Sequence, residues 1–151
     1  MKQSNQDYSY LPRLNGHLMG LAHLRATQLF TEQLSPLQLT PKQAIALEFI
    51  ANNPTISQRE IAEHIGTTPT VLVGVLDALT KLGLVQRIRS EVDRRRHSVR
   101  TTAEGENIRP EIAQAAQAVE AQLQAESELS AEEWQTLNKL MQKLTQREID
   151  K

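Results

Sequence analysis

Three consecutive arginines, Arg94 to Arg96, form the densest group of cationic side chains in the sequence. A guanidinium stays protonated, binds phosphate and fits the narrow minor groove of DNA, where negative potential is concentrated. From Lys81 to Arg100 the chain carries seven basic and two acidic residues, a local charge of +5 that the net charge of −1 conceals. Because the local patch decides phosphate binding, this segment is predicted to bind nucleic acid.

Five charged residues of this segment have an expected role. We expect Arg95 to enter the minor groove, with Arg94 and Arg96 on the flanking phosphates. Arg89 is a further candidate contact to DNA. Asp93 would repel phosphate, so we expect it to pair with an arginine, most simply Arg95, and to hold that side chain in position.

Residues in the first turns of two predicted helices, most of them polar, form a second set of candidate DNA contacts. The set consists of Ser57, Gln58, Thr67, Thr68, Thr70 and Val73. Free N–H groups and hydroxyls at a helix start meet phosphates and base edges, and valine can contact the methyl group of thymine. Ser57 and Gln58 are expected at phosphates. One of Thr67 and Thr68 is expected to cap its helix, which leaves the other threonines and Val73 for DNA.

Capping boxes mark three helix starts. In this motif a Ser or Thr and a residue three positions later cap the helix reciprocally. The boxes are Thr40–Gln43, Ser57–Glu60 and Ser130–Glu133. Thr68-Pro69 opens a further helix that ends at Gly83. The inward face of that helix is expected to consist of Val71, Val75, Leu76 and Leu79.

Between Gly83 and Thr102 the pattern changes from helical to β-compatible. The segments Leu84–Arg89 and His97–Thr101 predict a hairpin with the arginines at its tip. The complete order is helix, helix, short helix, helix, hairpin, long helix and helix. This order predicts a mainly α fold with a small β wing, in which a winged helix-turn-helix core is flanked by N- and C-terminal helices.

A spaced motif runs through the wing. Gly83-Leu84-Val85, Asp93-Arg94-Arg95, Thr102 and Gly105 follow one another at spacings of seven, six and two residues. This pattern resembles the signature of the MarR family of bacterial regulators, and Leu39–Gln43 and Ser57–Ala62 are similar to the same family at matching spacing. The resemblance implies a homodimer that binds duplex DNA, and a small aromatic or anionic effector held between the DNA-binding lobe and the dimer helices.

The domain boundaries follow from the same resemblance. We expect a single domain over 1–151, which consists of a DNA-binding lobe at 36–105 and dimerisation helices at 8–32 and 106–148. Both flanking regions carry apolar stripes that a monomer would leave poorly covered. A two-fold dimer buries such stripes and matches the symmetry of a palindromic operator.

His17, His23 and Arg25 are polar groups on the leucine-rich first helix. They are candidate contacts for an anionic effector, and solvation alone explains them equally well.

The residue inventory argues against an enzyme and against a metal or other cofactor. The chain has no cysteine, and it shows no glycine-rich phosphate loop and no histidines at metal or catalytic spacing from carboxylates. No segment approaches the roughly 20 apolar residues of a membrane span, and the first residues lack the apolar region of a secretory signal. We therefore expect a cytoplasmic protein.

One alternative function stays open. Val73 and Gly74 stand where members of the family often have a polar residue followed by Arg or Lys. The lack of a cation there favours a second hypothesis, a winged-helix module that binds protein and not DNA.

Overall fold

The computed structural model describes residues 10–54, 56–89 and 97–149. In these ranges the helices are α1 (Asn15–Leu34), α2 (Pro41–Asn52), α3 (Gln58–His64), α4 (Pro69–Lys81), α5 (Ala103–Ser127) and α6 (Ala131–Ile149), and the strands are β1 (Val85–Arg89) and β2 (His97–Thr101). Short 3₁₀ turns at Leu11–Arg13 and Ser35–Leu37 flank α1. The predicted order and the mainly α fold are confirmed. Within the same ranges, no helix is both long and apolar enough to cross a membrane.

The capping boxes form as the sequence predicts. At the start of α2 the Thr40 N–H donates to Gln43 Oε1 over 2.8 Å, and the Gln43 N–H donates to Thr40 Oγ1 over 3.3 Å. The boxes at Ser57 and Ser130 have the same reciprocal pattern. Because these bonds satisfy N–H groups that a helix start otherwise leaves unpaired, they define where α2, α3 and α6 begin.

The core of the lobe lies between α2, α3, α4 and the hairpin. Its fully buried large side chains include Leu47, Ile50, Ile61, Leu72, Leu76, Leu79, Val85 and Val99. The prediction for Val71 is wrong: this side chain is 47% exposed, and Leu72 is buried in its place. Since α4 begins at Pro69, its buried row follows the i, i+3, i+4, i+7 spacing from Leu72 to Leu79, which leaves Val71 beside that row.

Four residues of the wing motif join α4, the hairpin and α5. Gly83 has a φ of +74°, which lets the chain turn from α4 into β1. The Thr102 N–H donates to the carbonyl oxygen of Leu84 over 3.0 Å, and its hydroxyl donates to the carbonyl oxygen of Gly83 over 2.6 Å. The same hydroxyl oxygen accepts the Gly105 N–H over 3.1 Å and so caps α5. A Cβ built on Gly105 would lie 2.1 Å from the Leu84 carbonyl oxygen, so a side chain does not fit here.

Two rows of apolar side chains stay exposed outside the lobe. The row on α1 and the turn before it comprises Leu14, Leu18, Met19, Leu21 and Leu24. The row on α6 comprises Leu137, Leu140, Met141 and Leu144. α1 packs along α5, whereas α6 packs extensively against no other helix in the described part of the chain. Both rows are therefore surfaces that the described part of this chain leaves uncovered.

The longest helix, α5, runs from the wing junction to Ser127. It contains Pro110, which has no N–H to donate to the carbonyl of Glu106 one turn earlier. The backbone ladder of α5 is thus interrupted close to where the helix leaves the hairpin.

Candidate nucleic-acid interface

The helices α3 and α4 form a helix-turn-helix. Gly66, with a φ of +63°, turns the chain between them, and the Thr67 N–H donates to the carbonyl oxygen of Ala62 over 2.9 Å. Thr68 is the cap of α4, because its Oγ1 accepts the Val71 N–H over 3.3 Å. The structure thereby assigns the capping role to Thr68 and leaves Thr67 half-buried in the turn.

The outer face of α4 is exposed. Thr70 and Val73 lie on it, opposite the buried row, together with Gly74 and Asp77. A Cβ built on Gly74 would meet no atom within 4 Å, so packing among the described residues does not explain this glycine. From Thr70 to Asp77 the face presents a hydroxyl, apolar methyl groups, open backbone and a carboxylate, but no cation.

An ion pair joins this face to the wing. Arg87 Nη2 on β1 donates to the carboxylate of Asp77 on α4. The pair places a guanidinium beside the outer face of α4. The sequence pattern did not single out either residue, because they are ten positions apart and only the packing of β1 on α4 brings them together.

The start of α3 carries the two other candidate contacts in this unit. Ser57 is exposed and Gln58 is half-buried. Ser57 Oγ accepts the Glu60 N–H over 3.2 Å, so this oxygen already serves as the cap of α3.

The wing is an antiparallel hairpin whose pairing runs from Val85 opposite Thr101 to Arg89 opposite His97. The segment that joins the two strands contains Asp93, Arg94, Arg95 and Arg96. These four residues and the side chain of Arg89 lie outside the described residues, and so does the expected pairing of Asp93 with Arg95. Their roles stay predictions.

A cavity of about 420 Å³ opens where α1, α2 and α5 meet. Its walls are mostly apolar and include Phe30 from α1, Phe49 from α2 and Ile112 from α5. Glu48 and Asn52 supply polar groups at its edge. The sequence pattern does not indicate this cavity, because its wall comes from three helices that are distant in sequence.

Arg109 on α5 ties this edge of the cavity together. Its Nε and Nη2 donate to the two carboxylate oxygens of Glu48 over 3.1 and 3.0 Å, and Nη2 also donates to Asn52 Oδ1 over 2.9 Å. Nη1 donates to Glu106 Oε2 over 2.8 Å. These bonds raise the pKa of Arg109 above its usual value, chiefly through Glu48, and lower the pKa of Glu106, chiefly through Arg109.

The candidate effector residues on α1 do not line this cavity. His17 is half-buried, and the exposed His23 has its Nε2 3.5 Å from Thr27 Oγ1. Arg25 forms a two-point pair with Glu126 on α5, in which Nε donates to Oε2 over 2.9 Å and Nη2 donates to Oε1. The pair lowers the pKa of Glu126 to about 2. An anion at Arg25 would have to compete with this carboxylate.

A helix-turn-helix with one open helix face, followed directly by a hairpin, defines a winged-helix DNA-binding protein. Residues 37–96 match the sequence profile of the MarR family. A putative transcriptional regulatory protein for the hcr operon of Thauera aromatica is 31% identical over 122 residues, which cover 76% of this chain and 72% of that protein. The chain belongs to the MarR family of transcriptional regulators.

Further comparisons agree with this assignment. The regulator FarR of Neisseria gonorrhoeae is 31% identical over 83 residues, 55% of this chain and 57% of that protein. The repressor CouR, solved with a 23-mer DNA duplex, is 30% identical with a TM-score of 0.75, and the match covers 94% of this chain and 99% of that one. A MarR family protein of Mycobacterium tuberculosis, solved with salicylic acid, is 26% identical with a TM-score of 0.73, over 87% and 96% of the two chains. These relatives are regulators, which confirms that the chain is not an enzyme.

Proposed function

We propose that this regulator is a homodimeric, cytoplasmic repressor that binds a palindromic operator sequence-specifically and is released from it by a small aromatic or anionic ligand. The observation that carries the proposal is the open outer face of α4 beside a hairpin whose connecting segment holds three arginines. CouR is described as a transcriptional repressor bound to a DNA duplex, which supports the same activity for this chain.

Two surfaces would contact DNA in this proposal. The outer face of α4 enters the major groove, where Thr70 and Val73 meet base edges, with Thr67 and Thr68 at the preceding backbone. The start of α3, with Ser57 and Gln58, lies on the phosphates.

The wing supplies the remaining contacts and most of the charge. Arg95 enters the minor groove, Asp93 holds it there, and the flanking cations Arg89, Arg94 and Arg96 contact the sugar–phosphate backbone. The Asp77–Arg87 pair keeps β1, which leads into this segment, against α4.

Replacing Arg95 by alanine is expected to weaken operator binding by about 1–3 kcal/mol and to reduce the salt dependence by about one ion per lobe. Fluorescence anisotropy with an operator duplex over a salt series measures both quantities. Lys139→Ala is the matched control, because it removes one cation from the face of α6 turned away from the exposed apolar row. Equal affinities and salt slopes for Arg95→Ala and the unaltered protein would remove the wing from the interface.

The homodimer is supported by the two exposed apolar rows. Rows of this size on α1 and α6 are covered if the flanking helices of two copies pack together about a two-fold axis. We accordingly keep 8–32 and 106–148 as dimerisation helices and 36–105 as the DNA-binding lobe. The two lobes would then reach successive turns of the major groove, which suits a palindrome.

The cavity between α1, α2 and α5 is the proposed effector site. Its volume and largely apolar wall suit a ligand with one aromatic ring, and it lies where the lobe meets α5. The relative solved with salicylic acid supports an aromatic ligand. We propose a separate ligand contact on α1, where an anionic group of the ligand would meet His17, His23 and Arg25. A thermal-shift screen of single-ring compounds tests the proposal, and no shift at millimolar ligand would instead indicate constitutive DNA binding.

A second candidate function is a winged-helix module that binds protein. The outer face of α4 favours it, because Val73 and Gly74 carry no charge and Asp77 carries a negative one. Anisotropy with the intergenic DNA upstream of the protein's own gene separates the two functions. Tight binding that survives excess competitor DNA excludes the protein-binding module.

A further inference from the structure

The polar side chains that line the cavity are one carboxylate and two amides. Among the described residues that line it, Glu48 is the only charged one, and Asn52 and Asn53 are the other polar ones. The remaining described lining residues are apolar. A ligand that enters therefore meets a carboxylate and two side-chain amides against a hydrocarbon wall.

The cation at this edge is already engaged. The Arg109 guanidinium donates four hydrogen bonds to Glu48, Asn52 and Glu106, at distances of 2.8 to 3.1 Å. One guanidinium faces two carboxylates, so the cluster of Glu48, Glu106 and Arg109 carries a net negative charge. An incoming carboxylate would meet this charge with no free cation among the described lining residues, and in a partly desolvated site such a mismatch costs affinity.

We propose that this cavity selects single-ring aromatic ligands that bear N–H donors without negative charge, and that it rejects aromatic carboxylates. The inference rests on the proposed function only in taking the cavity as the effector site. The proposed ligand selectivity distinguishes this chain from the M. tuberculosis relative, which was solved with salicylic acid. The donor of the ligand binds the Glu48 carboxylate, and its ring packs between Phe30, Phe49 and Ile112.

The position of Glu48 links ligand binding to the DNA-binding lobe. Its carboxylate joins α2 to α5 through Arg109. Phe49, the next residue, lines the cavity and stacks on His64 of α3, with ring centroids 4.8 Å apart. A ligand N–H group that binds the Glu48 carboxylate competes with Arg109 for it. A ligand ring that packs on Phe49 also affects the Phe49–His64 stack, which connects α2 to α3. Both contacts change how the helix-turn-helix packs against α5.

The test compares ligands of matched shape and different charge at neutral pH. Isothermal titration of the full-length protein is made with salicylamide against salicylate and with benzylamine against benzoate. We expect the amide and the amine to bind at least about tenfold more tightly than the corresponding acids. Comparing salicylamide with benzylamine separates neutral donors from cationic ones.

Three variants locate the effect. Glu48→Gln removes the carboxylate and leaves Glu106 as the one carboxylate partner of Arg109, so the cluster becomes neutral and the preference for the amide and the amine is expected to be lost. Glu104→Gln removes the same charge from an exposed position in the first turn of α5 that does not line the cavity, and the preference should persist. Ala116→Leu places a larger side chain at the cavity wall and should weaken binding of every ligand that enters it.

Three outcomes would overturn the inference. They are tighter binding of salicylate than of salicylamide, an unaltered preference in Glu48→Gln, and no binding of any of the four compounds at millimolar concentration. Operator binding is measured separately by anisotropy without ligand. A protein that binds no DNA but keeps the charge preference would contradict the proposed function and leave the selectivity of the cavity intact.

Discussion

Replacing Gly105 by alanine is expected to lower the free energy of unfolding by about 3 kcal/mol, the upper part of the range for overpacked positions. The added Cβ would lie 2.1 Å from the carbonyl oxygen of Leu84 and 2.7 Å from Thr101 Cγ2. The carbonyl has little room to yield, because it accepts the Thr102 N–H over 3.0 Å. Relief of the clash therefore requires α5 to move away from the hairpin.

Gly74→Ala is the matched control for this variant, and it is expected to change stability in the opposite direction. Gly74 also lies in a helix, but an added Cβ there meets nothing within 4 Å. Alanine in an exposed helix interior is favoured over glycine by about 1 kcal/mol. Urea unfolding of both variants at one protein concentration gives the comparison. Similar stability changes in the two variants would contradict the close approach at Gly105.

Replacing Leu140 by arginine is expected to give a monomer and to weaken operator binding by at least about 100-fold, because a single lobe loses the avidity of two linked half-sites. Leu140 is 53% exposed in the middle of the apolar row on α6. In the proposed dimer the new charge would be buried against apolar side chains, which is strongly unfavourable. Since Leu140 is exposed in the single chain, the fold of each subunit should survive.

Light scattering measures the mass of this variant, circular dichroism its helix content, and anisotropy its affinity for the operator. Gln135→Arg is the control, since it adds the same charge on the face of α6 opposite Leu140. A Leu140→Arg protein that stays dimeric would place the two-fold contact elsewhere than α6. A monomer that keeps full affinity would contradict the need for two lobes.

The element boundaries could be predicted because their signals are local. A capping box such as Thr40–Gln43 satisfies helix N–H groups within four residues, so no distant contact is needed to form it. The motif residues from Gly83 to Gly105 were likewise recognisable before their geometry was known, and that geometry now gives them a physical role at one junction. The error at Val71 concerned the phase of a helix, where one position rotates a side chain by about 100°.

The cavity and the ion pairs between distant helices could not be predicted in this way. Arg109 and Glu48 are 61 positions apart, and Arg25 and Glu126 are 101 apart. Such pairs depend on how α1 and α2 pack against α5, which periodicity does not specify. For the same reason the sequence indicates His17, His23 and Arg25, which are polar exceptions on one helix, whereas the polar edge of the cavity lies on α2 and α5.

Pro110 gives α5 a mechanical property that bears on how the two lobes meet DNA. The helix continues for 17 residues beyond the proline, about 25 Å at 1.5 Å per residue. A missing backbone hydrogen bond lowers bending stiffness, and a bend of about 10° at the proline moves the far end of such a lever arm by about 4 Å. That displacement is close to the rise of one base pair, about 3.4 Å. In the proposed dimer, this compliance would let the lobes follow small variations in half-site spacing, whereas a shift of half a helical turn would exceed its reach.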